Sequence, residues 1–212
     1  MKSVAYEIKT KCNSCGNPLV VNAAVTDIYC KSCNNVNTIS EENWISLLED
    51  PVKEGPKLGE GEGQPSTTFM GQFQYSTMYG NQKARCEKCK ETVPEEKITD
   101  FKEAGIYKCA KCDNDVSVRP APEFLKNKYP NMQYLVAEDE NMLAKNDTGY
   151  QPENNIKPVI FTCPSCGGAL KVDGSERMME CEFCKNTIYL PDDLWFRLHP
   201  PKVVERWYLI LS

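Results

Sequence analysis

A single histidine, His199, serves the whole 212-residue chain. That scarcity leaves no Ser-His-Asp or Cys-His pair on which to build a nucleophilic mechanism. It also disfavours the open, histidine- or carboxylate-liganded metal site that hydrolytic enzymes use. A phosphate-binding loop is missing as well, because the glycines of Gly59-Glu-Gly-Glu-Gly63 alternate with acid that repels phosphate. Apolar residues make up only 41% of the chain, and no apolar run reaches the length of a membrane span. The first residues, MKSVAYEIKTKC, contain no apolar stretch of the secretory kind. These absences together lead us to expect a cytoplasmic protein that is not an enzyme. In that compartment thiols stay reduced, so paired cysteines point to metal or redox chemistry before disulfides.

Cysteine is what the chain has in abundance. All twelve fall in CxxC pairs: Cys12/Cys15, Cys30/Cys33, Cys86/Cys89, Cys109/Cys112, Cys163/Cys166 and Cys181/Cys184. The pairs form three quartets, with 14, 19 and 14 residues between the halves. This is close to the spacing by which two CxxC turns, joined by a hairpin arm, bring four thiolates around one tetrahedral Zn²⁺. Gly16 and Gly167 follow the second cysteine of their pairs, where a tight turn calls for positive φ. Three complete quartets with no cysteine left over predict three four-cysteine zinc sites, against the alternatives of reactive dithiols or a disulfide framework.

The motifs CNSCGNPL…CKSC, CEKCK…CAKC and CPSCGGAL…CEFC resemble zinc ribbons of the rubredoxin-like kind. The resemblance covers about half the chain. It implies small β-rich, zinc-bound domains, and it implies no particular function, because ribbons serve unrelated tasks.

The first and third quartets belong to a repeat. Adding 151 to any residue number from 12 to 47 gives its counterpart, and 11 of the 36 positions are identical without a gap. The identities extend past the cysteines to Trp44/Trp195 and Leu47/Leu198. Each repeated unit therefore reads as a ribbon followed by a short helix. One helix starts at Ser40-Glu-Glu and the other at Pro191-Asp-Asp, with capping residues and first-turn carboxylates in place. On such a helix Trp44 and Leu47 share one face, as do Trp195 and Leu198, suited to cover a ribbon too small to close its own core.

The expected organisation is three tandem zinc ribbons. Ribbon 1 plus its helix occupies residues 1–49, and an acidic Gly/Pro linker with an aromatic strand-like segment occupies 50–80. Ribbon 2 with an extension spans 81–137, a polar linker spans 138–158, and ribbon 3 with a helix and an apolar C-terminal strand spans 159–212. The aromatic segment places Phe69, Phe73 and Tyr75 on one side of a single strand by period two. The terminal run Trp207–Leu211 is expected to add a strand to ribbon 3 or to dock on another chain.

Charge bears on the choice of partner. The formal net charge is −5, and three zinc ions each held by four thiolates would bring it to about −11. The best basic patch is Lys83, Arg85, Lys88 and Lys90, joined by Lys108 and Lys111, and lysines beside thiolates also serve to offset the metal centre. The leading expectation is thus an adaptor or accessory subunit that contacts other proteins in a larger assembly. Trp44, Trp195, Trp207, Tyr208 and Leu209 are the candidate contacts. A factor touching nucleic acid through the middle ribbon, by Lys83, Arg85, Lys88 and Lys90, is the first alternative, and a zinc-linked redox switch the second.

Overall fold

The structure, a computed structural model, describes residues 1–30, 33, 35–71, 73–139, 142–143, 159–172, 178–191 and 206–212. The first part of the chain forms β1 (Lys2–Lys11), β2 (Pro18–Val20), β3 (Asp27–Tyr29), β4 (Val36–Thr38) and α1 (Glu41–Lys53). A 3-10 turn (Gly55–Lys57) leads into β5 (Gly63–Met70) and β6 (Phe73–Asn81). Next come α2 (Glu95–Thr99), β7 (Gly105–Lys108), β8 (Asp115–Pro120), α3 (Glu123–Lys128) and β9 (Met132–Val136). The last strands are β10 (Val159–Thr162), β11 (Ala169–Val172), β12 (Met178–Glu180), β13 (Thr187–Tyr189) and β14 (Trp207–Leu211). Two compact units result: residues 1–152 with 204–212, and residues 153–203.

The first unit is built on an antiparallel sheet in the order β5-β6-β1-β14-β9-β8-β7, with β2 also paired to β1. The run Trp-Tyr-Leu-Ile-Leu of β14 sits in its middle, between β1 and β9. Its unbroken apolarity follows from that place. Trp207, Leu209 and Leu211 enter a core with Tyr6, α1 and the first ribbon, whereas Tyr208 and Ile210 face a second core with the middle ribbon. A strand covered on both faces loses the apolar–polar alternation of a half-buried one. The expectation that this run adds a strand to ribbon 3 is therefore corrected.

Residues 50–71 and 73–80, expected as a linker with an aromatic strand-like segment, are folded. α1 continues through Pro51 to Lys53, and the chain then lies against β1 so closely that a Cβ on Gly55 would come 2.7 Å from a methyl of Val4. The expected single aromatic strand is a hairpin. Met70 pairs with Phe73 across a turn at Gly71, whose φ of +60° suits a tight reversal, so Phe69 lies on a different strand from Phe73 and Tyr75. The extension of ribbon 2 supplies α3 and β9, the latter in the central sheet.

The expected polar linker 138–158 begins in the core. Glu138 and Arg119 form a fork-like ion pair, Nε to Oε2 at 2.6 Å and a terminal nitrogen to Oε1 at 2.9 Å, with side chains 1% and 8% exposed. The same carboxylate accepts the Ala24 N–H at 2.7 Å, and Arg119 donates to the Ala24 carbonyl at 3.0 Å. Because the arm of the first ribbon carries Ala24 and the middle ribbon's β8 carries Arg119, the pair ties two ribbons into one body. Residues 140–141 and 144–158 of that linker lie outside the described residues.

The helix after the first ribbon forms as its capping sequence predicts. Ser40 Oγ accepts the N–H of Asn43 at 3.2 Å, and Trp44, Leu47 and Leu48 are buried on one face. The expected helix after the third ribbon, with Trp195, Leu198 and His199, lies outside the described residues.

Candidate metal centres

Each CxxC lies between two paired strands or a bridge, and among the described residues the six share one opening bond. The N–H of the first cysteine donates to the carbonyl five residues on: Cys12 to Asn17, Cys30 to Asn35, Cys86 to Glu91, Cys109 to Asn114, Cys163 to Gly168 and Cys181 to Asn186. The residue after the second cysteine turns back and donates to the first cysteine's carbonyl at positions 16, 90, 113, 167 and 185. All five have positive φ, between 53° and 75°. Glycine does this without strain at 16 and 167, while Lys90, Asp113 and Lys185 adopt it as substituted residues held by the turn.

The turns aim their own amides at sulfur. Cys12 Sγ accepts from the N–H groups of Cys15 and Ser14, Cys109 Sγ from those of Lys111 and Cys112, and Cys163 Sγ from those of Cys166 and Ser165. The pattern recurs at Cys33, Cys112 and Cys166, which accept from Asn35, Asn114 and Gly168. Such bonds favour thiolate over thiol and fix the direction of each sulfur.

Across each ribbon the first cysteine of one turn meets the second of the other. Sulfurs stand 3.6 Å apart for Cys12–Cys33, 3.7 Å for Cys15–Cys30, 3.6 Å for Cys86–Cys112 and 3.5 Å for Cys89–Cys109. In the third ribbon the values are 3.8 Å for Cys163–Cys184 and 3.7 Å for Cys166–Cys181. Within each quartet the four ligand atoms lie within 4.8 Å of one another. A metal held tetrahedrally by four sulfurs at about 2.3 Å needs sulfur–sulfur edges of about 3.8 Å. The three clusters fit that polyhedron, and all twelve cysteines are free of disulfides. The quartets can each hold a metal ion, and iron would suit the same donor set as zinc.

The electrostatics show what a cation would relieve. The Cys15 amide draws the Cys12 thiol down to about 6 against the effect of burial, and the Lys111 amide brings Cys109 to about 7. At Cys163 burial opposes, yet the amides of Cys166 and Ser165 still bring it to about 6. Their partners go the other way. The Asn35, Asn114 and Gly168 amides favour thiolate at Cys33, Cys112 and Cys166, but burial and the neighbouring sulfurs push these thiols up to about 12. Four thiolates at van der Waals distance cannot all ionise unaided, and a divalent ion removes that conflict.

One residue at the first centre was not singled out from sequence. Asn37 on β4 is buried, donates to Cys12 Sγ at 3.5 Å and to the Asn35 carbonyl at 3.3 Å, and accepts the Asn13 N–H at 2.8 Å, so it touches both turns. The signal was available in the repeat, where the inward position of Asn37 is Ile188 in the third copy. The repeat holds in register too. Lys9 pairs with Val20 as Ile160 pairs with Lys171, and Asp27 pairs with Thr38 as Met178 pairs with Tyr189.

The remaining candidates are placed as follows. Trp44 is fully buried, donating Nε1–H to the Val25 carbonyl at 2.8 Å. Trp207, Tyr208 and Leu209 are buried in β14. None of these four is on the surface for a partner, which corrects their assignment as contacts, and Trp195 lies outside the described residues. Lys83, Arg85, Lys88 and Lys90 are exposed around the first turn of the middle ribbon. Beside them Lys111 pairs with Glu91 at 2.8 Å and Lys108 with Asp115 at 3.0 Å, so carboxylates offset part of the basic patch. Among the described residues no helix is long and apolar enough to cross a membrane. No family model, curated protein or solved structure matches the chain.

Proposed function

We propose that the chain is a non-enzymatic, cytoplasmic zinc protein that works as an adaptor or accessory subunit, joining other proteins in a larger assembly. The observation that carries this reading is the closed donor set. Each quartet offers four mutually adjacent cysteine sulfurs, which fill a tetrahedral ion's coordination and leave no position for substrate or water. Such a site supplies folding energy and a fixed geometry, which suits a scaffold that presents surfaces to other proteins. Cys12, Cys15, Cys30 and Cys33 would hold one zinc, Cys86, Cys89, Cys109 and Cys112 a second, and Cys163, Cys166, Cys181 and Cys184 a third.

The acidity of the chain, with 30 carboxylates against 25 lysines and arginines, supports protein over phosphate-backbone partners. Binding of the zinc-loaded chain to DNA and RNA at two salt concentrations tests the choice. The adaptor reading expects weak binding that is unchanged by Lys88→Ala and Lys90→Ala. Tight binding with a steep salt slope that these changes flatten would replace it with the nucleic-acid reading.

A further inference from the structure

The two copies of the repeat exchange exposed residues in both directions: Tyr29 and Val36 of the first are Glu180 and Thr187 in the third, and a larger set runs the other way. Lys9, Asp27 and Thr38 of the first copy, and Ser32 in its sequence, correspond to Ile160, Met178, Tyr189 and Phe183 of the third. Those four apolar side chains are 77%, 59%, 55% and 65% exposed. The first copy has the same hairpins and the same cysteine geometry with polar residues there, so neither fold nor metal demands the apolar set.

The exchange matters most on β10. In the first copy the equivalent stretch of β1 is paired on both sides, to β2 through Lys9–Val20 and to β6 through Ile8–Thr77 and Lys9–Ser76. In the third copy β10 pairs with β11 alone among the described residues. The bond from Cys163 N–H to Gly168 sets the alternation. Counting back by twos, the N–H and C=O of Ile160 and Thr162 point away from β11. Edge strands are ordinarily blunted by charge, proline or a bulge, yet Val-Ile-Phe-Thr has none of these. Among the described residues, lysine stands where the first copy has a strand on either side and isoleucine where the third has one neighbour only.

We propose that the β10 edge of the third ribbon is the docking site for one extended, uncharged segment of a partner protein, added antiparallel as a strand. The first copy indicates the chemistry of the occupant: Thr77 and Ser76 of β6 lie opposite Ile8 and Lys9, the counterparts of Val159 and Ile160, and β6 as a whole, Phe-Gln-Tyr-Ser-Thr-Met-Tyr-Gly-Asn, carries no charge. Backbone bonds to Ile160 and Thr162 supply the pairing, and the Ile160 side chain supplies an apolar contact. The inference rests on the adaptor reading and locates its contact surface.

The test introduces photoreactive benzoylphenylalanine singly in place of Ile160, Met178 and, on the first unit, the exposed Phe69, in the full-length chain in its native cell. The expected adduct from position 160 is to another protein, within a stretch free of charged residues. A synthetic peptide of that stretch should then slow hydrogen exchange of the Ile160 amide in the purified zinc-loaded chain. Ile160→Pro, which removes that N–H, should weaken the peptide about tenfold while three zinc ions remain. Should the proline variant lose zinc, the amide exchange decides alone. Adducts from 160 to a second copy or to residues 1–152, or a peptide that leaves the Ile160 amide exchanging as before, overturn the proposal. Adducts to other proteins from position 69 alone overturn it and leave the adaptor reading standing, and no adduct from any position defeats both.

Discussion

Trp44 and Trp207 meet edge to face, ring centroids 6.1 Å apart and planes at 72°, although one lies on the helix after the first ribbon and the other on the last strand. Tyr6 on β1 adds a second edge contact to Trp207 at 5.0 Å. The C-terminal strand is thereby locked to the first ribbon's helix, and Trp207→Ala should cost the first unit about 3–5 kcal/mol. Urea unfolding followed by far-ultraviolet circular dichroism, which does not depend on the tryptophans removed, measures the loss. A double cycle with Trp44→Ala should return a coupling of about 0.5–1.5 kcal/mol for the ring pair.

Arg119 and Glu138 make a second long-range tie, buried and joined by two hydrogen bonds. Arg119→Met leaves the Glu138 carboxylate without its cation and should destabilise the first unit by about 3–5 kcal/mol. Replacing both, by Arg119→Met with Glu138→Leu, should recover most of that loss, because two buried charges are removed together. Urea midpoints of the single and double variants provide the comparison.

Asn37→Ile places the third copy's residue in the first. The sulfur of Cys12 loses one donor and the Asn13 amide loses its acceptor. The first site should bind metal about 10- to 100-fold more weakly, with the other two unchanged. A chelator titration that resolves the three sites reads this directly.

Metal retention should fall as pH falls, because protons compete with the ion for thiolate. Cys12 and Cys163, drawn down to about 6 by backbone amides, hold their charge to lower pH than an ordinary thiol. The thiols of Cys33 and Cys166, pushed up to about 12, do not ionise near neutrality unless a cation is present. Metal release measured by a colour-forming chelator should therefore rise on acidification and stay low on the alkaline side.

The ligand sets were legible because their information is local. A CxxC turn closes within a few residues, and the offset of 151 relates the two copies by sequence alone. Long-range pairing was not legible in the same way. Trp207–Leu211 was assigned to its neighbour in sequence, ribbon 3, although an unbroken apolar run needs two covered faces, and the centre of the first unit's sheet provides them. Residues 50–67 read as a linker from their glycine, proline and acid. Pro51 instead sits inside α1, and Gly55 is the residue that lets the chain close on Val4. The sequence favours Trp44 as a lid over its ribbon, with a partner contact as the alternative, and its burial against Trp207 agrees with the lid.

The central claim is that three quartets of cysteine each bind one zinc ion. A mass spectrum of the intact chain under native conditions tests it most directly. The account predicts three zinc ions per chain, falling to two when Cys163 is changed to serine. A chain that carries no zinc or one, or whose mass shows its cysteines joined in disulfides, would contradict it.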